Sequence, residues 1–423
     1  MLGMRAESSD LPAGRQEKRE PRLLGRGNLF RKEYIISKMQ ERSLSEYSEV
    51  VRRITRPVRV GSVVIGGDAP IVLQSMAATH TSDIEATVDQ VNMLHAAGAG
   101  IVRLAIDSMK DVEAVAQITS RTPANISVDL QENYRLAAPV APYAHKIRFN
   151  PGHLYHHERN KTPRDKVAFI ADAAAKYDRA IRVGVNCGSV DPELAEKYGD
   201  DEVGAAVESA LVSCRYLDDL GFDNYLVSIK HSNWQKVIEA NLCFAQARPD
   251  IPLHLGVTEA GLPSLGITKT RLGVMPLLAA GIGETLRVSL TVPSRDKARE
   301  ISAGRLIIED LNGGNTYLEV SEKIEGLNHI SCPSCSRVEN EKFVELAQKI
   351  EEVSAFAKNY SFEIATMGCR VNGPGETYRA DLGLWCGPIH VRLMRKEELL
   401  GTYTYNEIIP QYLQALNQLI ASQ

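Results

Sequence analysis

No stretch of this sequence reaches eighteen apolar residues, so nothing in it predicts a membrane span. It also lacks a basic n-region followed by a short apolar core, so no secretory signal is expected. Charge of one sign is missing too: 49 Lys and Arg stand against 53 Asp and Glu, a net −4. That balance gives no global field for nucleic acid, although a local basic site would still take a phosphorylated small molecule. No GxGxxG follows the first apolar run, which weighs against a dinucleotide-binding open sheet. Cysteine is scarce and odd in number, seven in 423 residues. Without an export signal this predicts a reducing, cytoplasmic setting, where clustered thiols bind metal more often than they pair.

The length leaves room for two or three domains. Residues 1 to 45 carry ten Lys and Arg, six Asp and Glu, and little periodicity, and they are expected to form a disordered tail. The acidic residues argue against a transit peptide, and Met39 is a second candidate start. From about residue 70 short β-branched runs recur: "IVLQSM" (71–76), "IVRLAI" (101–106), "ISVDL" (126–130) and "KIRFN" (146–150). They continue with "IRVGVN" (181–186), "NYLVSIK" (224–230), "LHLGVTEAG" (253–261) and "TLRVSLT" (285–291). Each gap is long enough for a helix. In "SDIEATVDQVNMLHAAG", Ser82 and Glu85 suggest a capping box, Ile84, Val88 and Val91 share a face, and Gly98 ends the helix. In "DEVGAAVESALVSCRYLDDLG", Val203, Val207, Leu211, Cys214 and Leu217 form one stripe, which makes Cys214 a core thiol. Eight strands alternating with helices predict an α/β fold, a TIM-like (β/α)₈ barrel over residues 46–311.

The strand ends carry polar residues at high density, and in such a barrel the C-terminal ends build the site. They are Ser75, Asp129, Arg148 with Asn150, Arg182 with Asn186, Lys230, Thr258 with Glu259, and Arg287 with Ser289. Several cationic side chains at one mouth suit an anionic ligand, most simply phosphate or diphosphate.

After residue 311 the rhythm breaks. "NGGN" (312–315) suggests a linker, and residues 312–423 mix strands and helices as a small α+β domain. Here "CPSCSR" sets Cys332 and Cys335 in a CxxC, and "MGCRVNGPGE" offers Cys369 on a compact glycine turn. Thiolates are soft ligands, and three of them allow two metal sites. A structural zinc needs a fourth N or S donor, for which Cys386 is a candidate. An iron–sulfur cluster needs only three cysteines if its fourth iron takes oxygen or stays open. Spacing alone leaves both open, together with a ligand-free CxxC.

These two cysteine motifs closely resemble the paired signature of the 4-hydroxy-3-methylbut-2-enyl diphosphate synthase family, iron–sulfur enzymes of the non-mevalonate isoprenoid pathway. The likeness extends through "DIEATVDQV", "FNPG", "RVGVNCGS", "EKYG", "HLGVTEAG" and "GIGETLRVSL", in order, over roughly residues 50 to 400. The resemblance implies a barrel joined to a cluster domain, in the compact bacterial form. It implies a [4Fe-4S] cluster held by Cys332, Cys335, Cys369 and Glu376. It implies reductive ring opening of a cyclic diphosphate, with electrons from flavodoxin or ferredoxin and with Glu259 as acid/base near the cluster. The substrate contacts it implies are Arg148, Arg182, Asn186, Lys230, Thr258, Arg287 and Ser289. A head-to-tail homodimer is implied as well, one subunit's cluster domain covering the other's barrel. The chain departs from the family at Gln131, which stands where a histidine is usual, and at His80, Cys187 and His231. The rival reading is a barrel enzyme for another phosphorylated or pterin-like substrate, with a structural zinc.

Overall fold

The computed structural model describes residues 50–130, 132–315, 326–369 and 373–422, apart from the side chains at 188 and 374–376. The expected tail, Gln131 and the side chain of Glu376 therefore lie outside the described residues. All that is described falls within one compact unit, Ser43–Gln423.

The chain enters through a hairpin that the sequence pattern did not announce. Strands β1 (Val58–Val60) and β2 (Val63–Ile65) pair antiparallel around Gly61, whose φ of +58° suits a tight two-residue turn. Val58, Val60 and Ile65 pack on Ile101, Ala180 and Leu226, residues at the starts of barrel strands. The hairpin therefore plugs the N-terminal end of the barrel.

Eight parallel strands follow: β3 (Val72–Met76), β4 (Ile101–Ala105), β5 (Asn125–Asp129) and β6 (Lys146–Phe149) come first. Then come β7 (Ala180–Asn186), β8 (Tyr225–Lys230), β9 (His254–Leu255) and β10 (Thr285–Leu286). Their spatial order is β8-β7-β6-β5-β4-β3-β10-β9, and a parallel bridge from Val227 to Leu253 joins the two ends. The expected (β/α)₈ barrel is thus formed. The last two strands are much shorter than the apolar runs suggested. Beyond Leu255 the chain leaves the ladder, with Gly256 at φ +155° and Glu259 at φ +46°, and turns over the barrel mouth.

Helix signals held in outline and failed in one detail. The first barrel helix, Ile84–Ala96, is capped by Asp83, whose Oδ1 accepts from the Ala86 N–H. The Ser82–Glu85 box does not form, and Glu85 pairs instead with Arg121 at 2.5 Å. Helix Glu202–Asp219 buries Val203, Val207, Cys214 and Leu217, so Cys214 is the packed thiol its stripe implied.

The C-terminal sheet runs β11 (Asn328–Ser331), β12 (Glu363–Met367), β13 (Leu382–Cys386), β14 (His390–Arg395) and β15 (Glu398–Thr404) in that order. The first three strands are parallel and the last two pair antiparallel. One face (Ile364, Leu382, Leu384, Val391, Leu393) shares a core with helices Lys342–Val353 and Ile408–Ala421. Short helix Gly373–Arg379 meets the other face, where Gly373 abuts Trp385 and Thr377 abuts Gly383. The mixture is α+β, as expected.

Barrel and sheet keep separate apolar cores but meet along the barrel mouth. Ala260 bridges Ser331 in parallel, the Thr291 and Ser331 hydroxyls lie 2.6 Å apart, and Ser336 N–H donates to the Ala77 carbonyl at 3.1 Å. Lys269 Nζ donates to the His329 carbonyl at 2.7 Å. The residues of "CPSCSR" thereby lie on the strand ends of their own chain's barrel.

Candidate active site

Strand alternation decides what the barrel holds inside. In β6, Ile147 and Phe149 join the apolar core while Lys146 and Arg148 take the other face; in β7, Val183 and Val185 do the same opposite Arg182 and Asn186. The inner face is therefore polar where most such barrels pack branched apolar side chains. Low in the barrel, Lys146 Nζ donates to Gln74 Oε1 at 2.8 Å, and His254 Nδ1 lies 3.2 Å from the Thr285 hydroxyl.

Above this layer opens a cavity of roughly 680 Å³, lined by six basic side chains and two carboxylates. Asp129 is shared by three guanidinium groups: Arg148 at 2.9 Å, Arg103 at 3.7 Å and Arg337 at 3.8 Å. Those cations hold its carboxyl far below the usual carboxylate range against the opposing effect of burial. Arg103 also leans its Nη2 on the Met76 sulfur at 2.8 Å, a weak acceptor. Arg182 and Lys230 are fully buried, and burial reinforced by neighbouring cations pushes both well below their ordinary pKa. Arg103 falls to about 9, chiefly by burial and against the pull of Asp129. Arg182 Nε and Nη1, Arg148 Nε and Arg287 Nη2 have no hydrogen-bond partner. Buried donors of one sign in such excess are stabilised by an entering anion with several acceptor oxygens.

Backbone detail keeps this arrangement open. A Cβ on Gly184 would sit 2.2 Å from Arg148 Nε, so only glycine lets that guanidinium lie across β7 and reach the Gly184 carbonyl at 2.7 Å. Glu259 lies 2 % exposed in the left-handed region, and its carbonyl accepts from Ser331 N–H at 3.2 Å. A non-glycine residue held there marks local strain of the kind that collects at functional sites.

Facing the cations, Cys332, Cys335 and Cys369 line the same cavity, all buried. The Cys332 and Cys369 thiols touch, and that contact, with burial, drives the Cys332 thiol well above its ordinary pKa. Cys335 packs on Met76 and Ala105 at the ends of β3 and β4. Among the described residues no three His, Cys, Asp or Glu side chains are spaced to grip a single metal ion. Three soft sulfur donors spread along one buried wall suit a polynuclear iron–sulfur cluster, whose irons take one thiolate each. Cys386, the candidate fourth ligand of a zinc site, belongs to the sheet core, with its thiol against the Leu384 carbonyl and Tyr405. It is not on the cavity wall.

Arg148, Arg182, Asn186, Lys230, Thr258, Glu259, Arg287 and Ser289, each proposed from sequence, all line this cavity with the three cysteines. Two other strand-end residues do not. Ser75 donates to Glu300 Oε2 at 2.7 Å, and Asn150 donates to the Ser189 hydroxyl at 2.8 Å while capping the turn at Gly152. The sequence reading missed Arg103 and Arg337. A lone arginine inside the apolar run "IVRLA" was a usable signal for the first. Arg337 was hidden beside the more conspicuous cysteines of "CPSCSR".

Fold and site together define a (β/α)₈-barrel enzyme for an anionic substrate, with a cysteine-rich centre closing the mouth. The chain belongs to the GcpE family: its TIM-barrel domain model matches residues 55–305 and its C-terminal domain model residues 328–418. A 4-hydroxy-3-methylbut-2-en-1-yl diphosphate synthase (flavodoxin) of Rhodopirellula baltica is 54% identical over 378 residues, 89% of this chain and 99% of the relative. Proteins of the same name from Nautilia profundicola and Aquifex aeolicus are 38% and 37% identical, covering 87% and 88% of this chain and 99% and 98% of theirs. Among solved structures, a Yersinia pestis dihydropteroate synthase matches with a TM-score of 0.42 at 12% identity, over 60% of this chain and 98% of that one.

Proposed function

We propose that this chain converts 2-C-methyl-D-erythritol 2,4-cyclodiphosphate to 4-hydroxy-3-methylbut-2-enyl diphosphate, the product carried in its relatives' name. Two electrons and two protons enter, one ring carbon–oxygen bond opens, and one oxygen leaves as water. One observation carries the reading: six buried cations and three thiols face each other across a single cavity.

Cys332, Cys335 and Cys369, with Glu376, are the proposed holders of a [4Fe-4S] cluster. When bound, such a cluster supplies the electrons one at a time. Arg148, Arg182, Lys230 and Arg287 neutralise the diphosphate, whose burial without them would be costly, while Asn186, Thr258 and Ser289 orient it. Glu259, beside the Cys332 wall, holds the proton that leaves with the hydroxyl as water. A flavodoxin, as in the relatives' name, or a ferredoxin serves as donor. The two separate cores support a division into a barrel at 46–311 and a cluster domain at 312–423. Two chains act as a head-to-tail homodimer in a reducing cytoplasm, consistent with seven unpaired cysteines. No described helix is long and apolar enough to cross a membrane.

Anaerobic purification with iron and acid-labile sulfide analysis, on wild type and Glu376→Ala side by side, tests the centre. The expected wild-type content is about four irons and four sulfides per chain, with loss or conversion in the variant. Zinc without sulfide would overturn the redox reading.

A further inference from the structure

Arg337 occupies a position that no other residue of the cavity shares. Its backbone N–H faces the Cys335 sulfur, two residues back in the chain. Its side chain, 7% exposed, crosses to the barrel, where Nη2 lies 3.5 Å from Asp107 Oδ1 and Nη1 3.8 Å from Asp129 Oδ2. Both distances exceed those of a seated, charge-assisted guanidinium–carboxylate pair, about 2.7–2.9 Å. Asp129 is meanwhile engaged at 2.9 Å by Arg148, so Arg337 is the outlying cation of that cluster. The segment that carries it is fixed to the barrel on either side, by Ser334 on the Val292 carbonyl and Ser336 N–H on the Ala77 carbonyl. Five of the six basic groups around the cavity come from barrel strands; Arg337 comes from the cysteine side.

We propose that Arg337 is a substrate-binding and positioning residue: its guanidinium takes a phosphate oxygen of the bound diphosphate, and its backbone ties that contact to Cys335. The proposal rests on the functional reading above. A dianionic oxygen cluster entering between Arg148 and the cysteine wall is a better partner for Arg337 than a carboxylate already shared with two other guanidinium groups. Occupancy of the anion site is thereby transmitted to one sulfur of the centre, so substrate and cysteine wall are registered on each other before any electron moves. A purely structural role would have Arg337 clasp Asp107 and Asp129 and be indifferent to ligand.

The test uses the anaerobically purified, cluster-loaded enzyme as wild type, Arg337→Ala and Arg337→Lys. Calorimetric titration with inorganic pyrophosphate is expected to show affinity about 10- to 100-fold weaker in the alanine variant, the worth of one charged hydrogen bond. The lysine variant, a point charge without the planar fork, is expected to fall between. The visible absorption of the loaded centre should respond to pyrophosphate in wild type and stay unchanged in Arg337→Ala at equal iron content. Equal pyrophosphate affinity and equal spectral response in all three proteins would overturn the proposal. If Arg337→Ala does not fold, Arg337→Lys with wild-type affinity and response overturns it alone. A wild type that ignores pyrophosphate would instead overturn the reading of the site as a diphosphate site, and this inference with it.

Discussion

At the scale of single residues, Asp129 is the hinge of the electrostatics. One carboxylate, 1% exposed, offsets three guanidinium groups, and removing a partner from such a buried set is far more damaging than the set is stabilising. Asp129→Asn keeps the shape and deletes the charge, leaving Arg103, Arg148 and Arg337 facing one another. The expected loss is about 3–5 kcal/mol of stability in the absence of ligand. An added polyanion should return part of it, because phosphate oxygens then take over the role of the carboxylate. Urea unfolding with and without pyrophosphate would show a larger ligand-induced gain in the variant than in wild type. An equal gain in both would mean that the anion does not sit among these three arginines.

At the scale of elements, the N-terminal turn of helix Glu202–Asp219 forms a socket for helix Gly373–Arg379 of the C-terminal part. Glu202 accepts from His231 Nε2 at 3.0 Å and Lys236 Nζ at 2.7 Å, and lies 3.5 Å from Arg379 Nη1. His231 Nδ1 accepts the Asn233 N–H at 2.8 Å, which fixes Nε2 as the protonated nitrogen that donates to Glu202. The His231 carbonyl in turn takes the Thr258 N–H at 3.1 Å, so the socket adjoins the cavity wall. The His231 hydrogen bond, helped by Lys236 and Arg379 against burial, lowers the Glu202 carboxyl from 4.5 to about 2. A carboxyl depressed in the folded state binds fewer protons there than when unfolded. Its stabilisation is therefore complete above about 4.5 and is lost as the pH falls toward about 2. Glu202→Gln should therefore unfold at lower urea than wild type at pH 6, with the gap narrowing at pH 3. A gap independent of pH would show that the charge of Glu202 is not what holds the socket. Elements of this kind explain what the sequence could and could not disclose. Strand positions were legible because alternation and β-branching are local, and the eight polar strand-end residues followed from the barrel rule. The socket was not legible: Glu202, His231 and Arg379 are far apart in the chain, and only the docked C-terminal part gives them a common purpose. Ser75 and Asn150 misled for the same reason, since a strand end dictates which face a side chain takes but not which neighbour reaches it first.

At the scale of the whole molecule, the question is which copy closes which mouth. Within one chain, "CPSCSR" lies on its own barrel through Ala77, Ala260, Thr291 and Val292. The surfaces that meet are the same if two chains exchange these parts, which is the essence of a swapped dimer. The proposed head-to-tail homodimer therefore differs from a self-closed chain in connectivity and not in site geometry. Complementation separates them. Glu259→Gln spoils the barrel half of the site, and Cys369→Ser spoils the cysteine half; each alone should turn over poorly. Co-expressed with different affinity tags, they form mixed dimers. If the halves come from different chains, every mixed dimer holds one site built from two intact halves and one with both defects. With random pairing, half the dimers are mixed and half their sites are intact, so activity should recover to about a quarter of wild type. If each chain closes its own barrel, every site carries one defect and the mixture stays as inactive as its components. Recovery would establish that the cavity shared by Glu259 and Cys369 is completed across the dimer. Its absence, with mixed dimers verified by the two tags, would make the single chain the whole catalytic unit and leave the dimer without a role in the site.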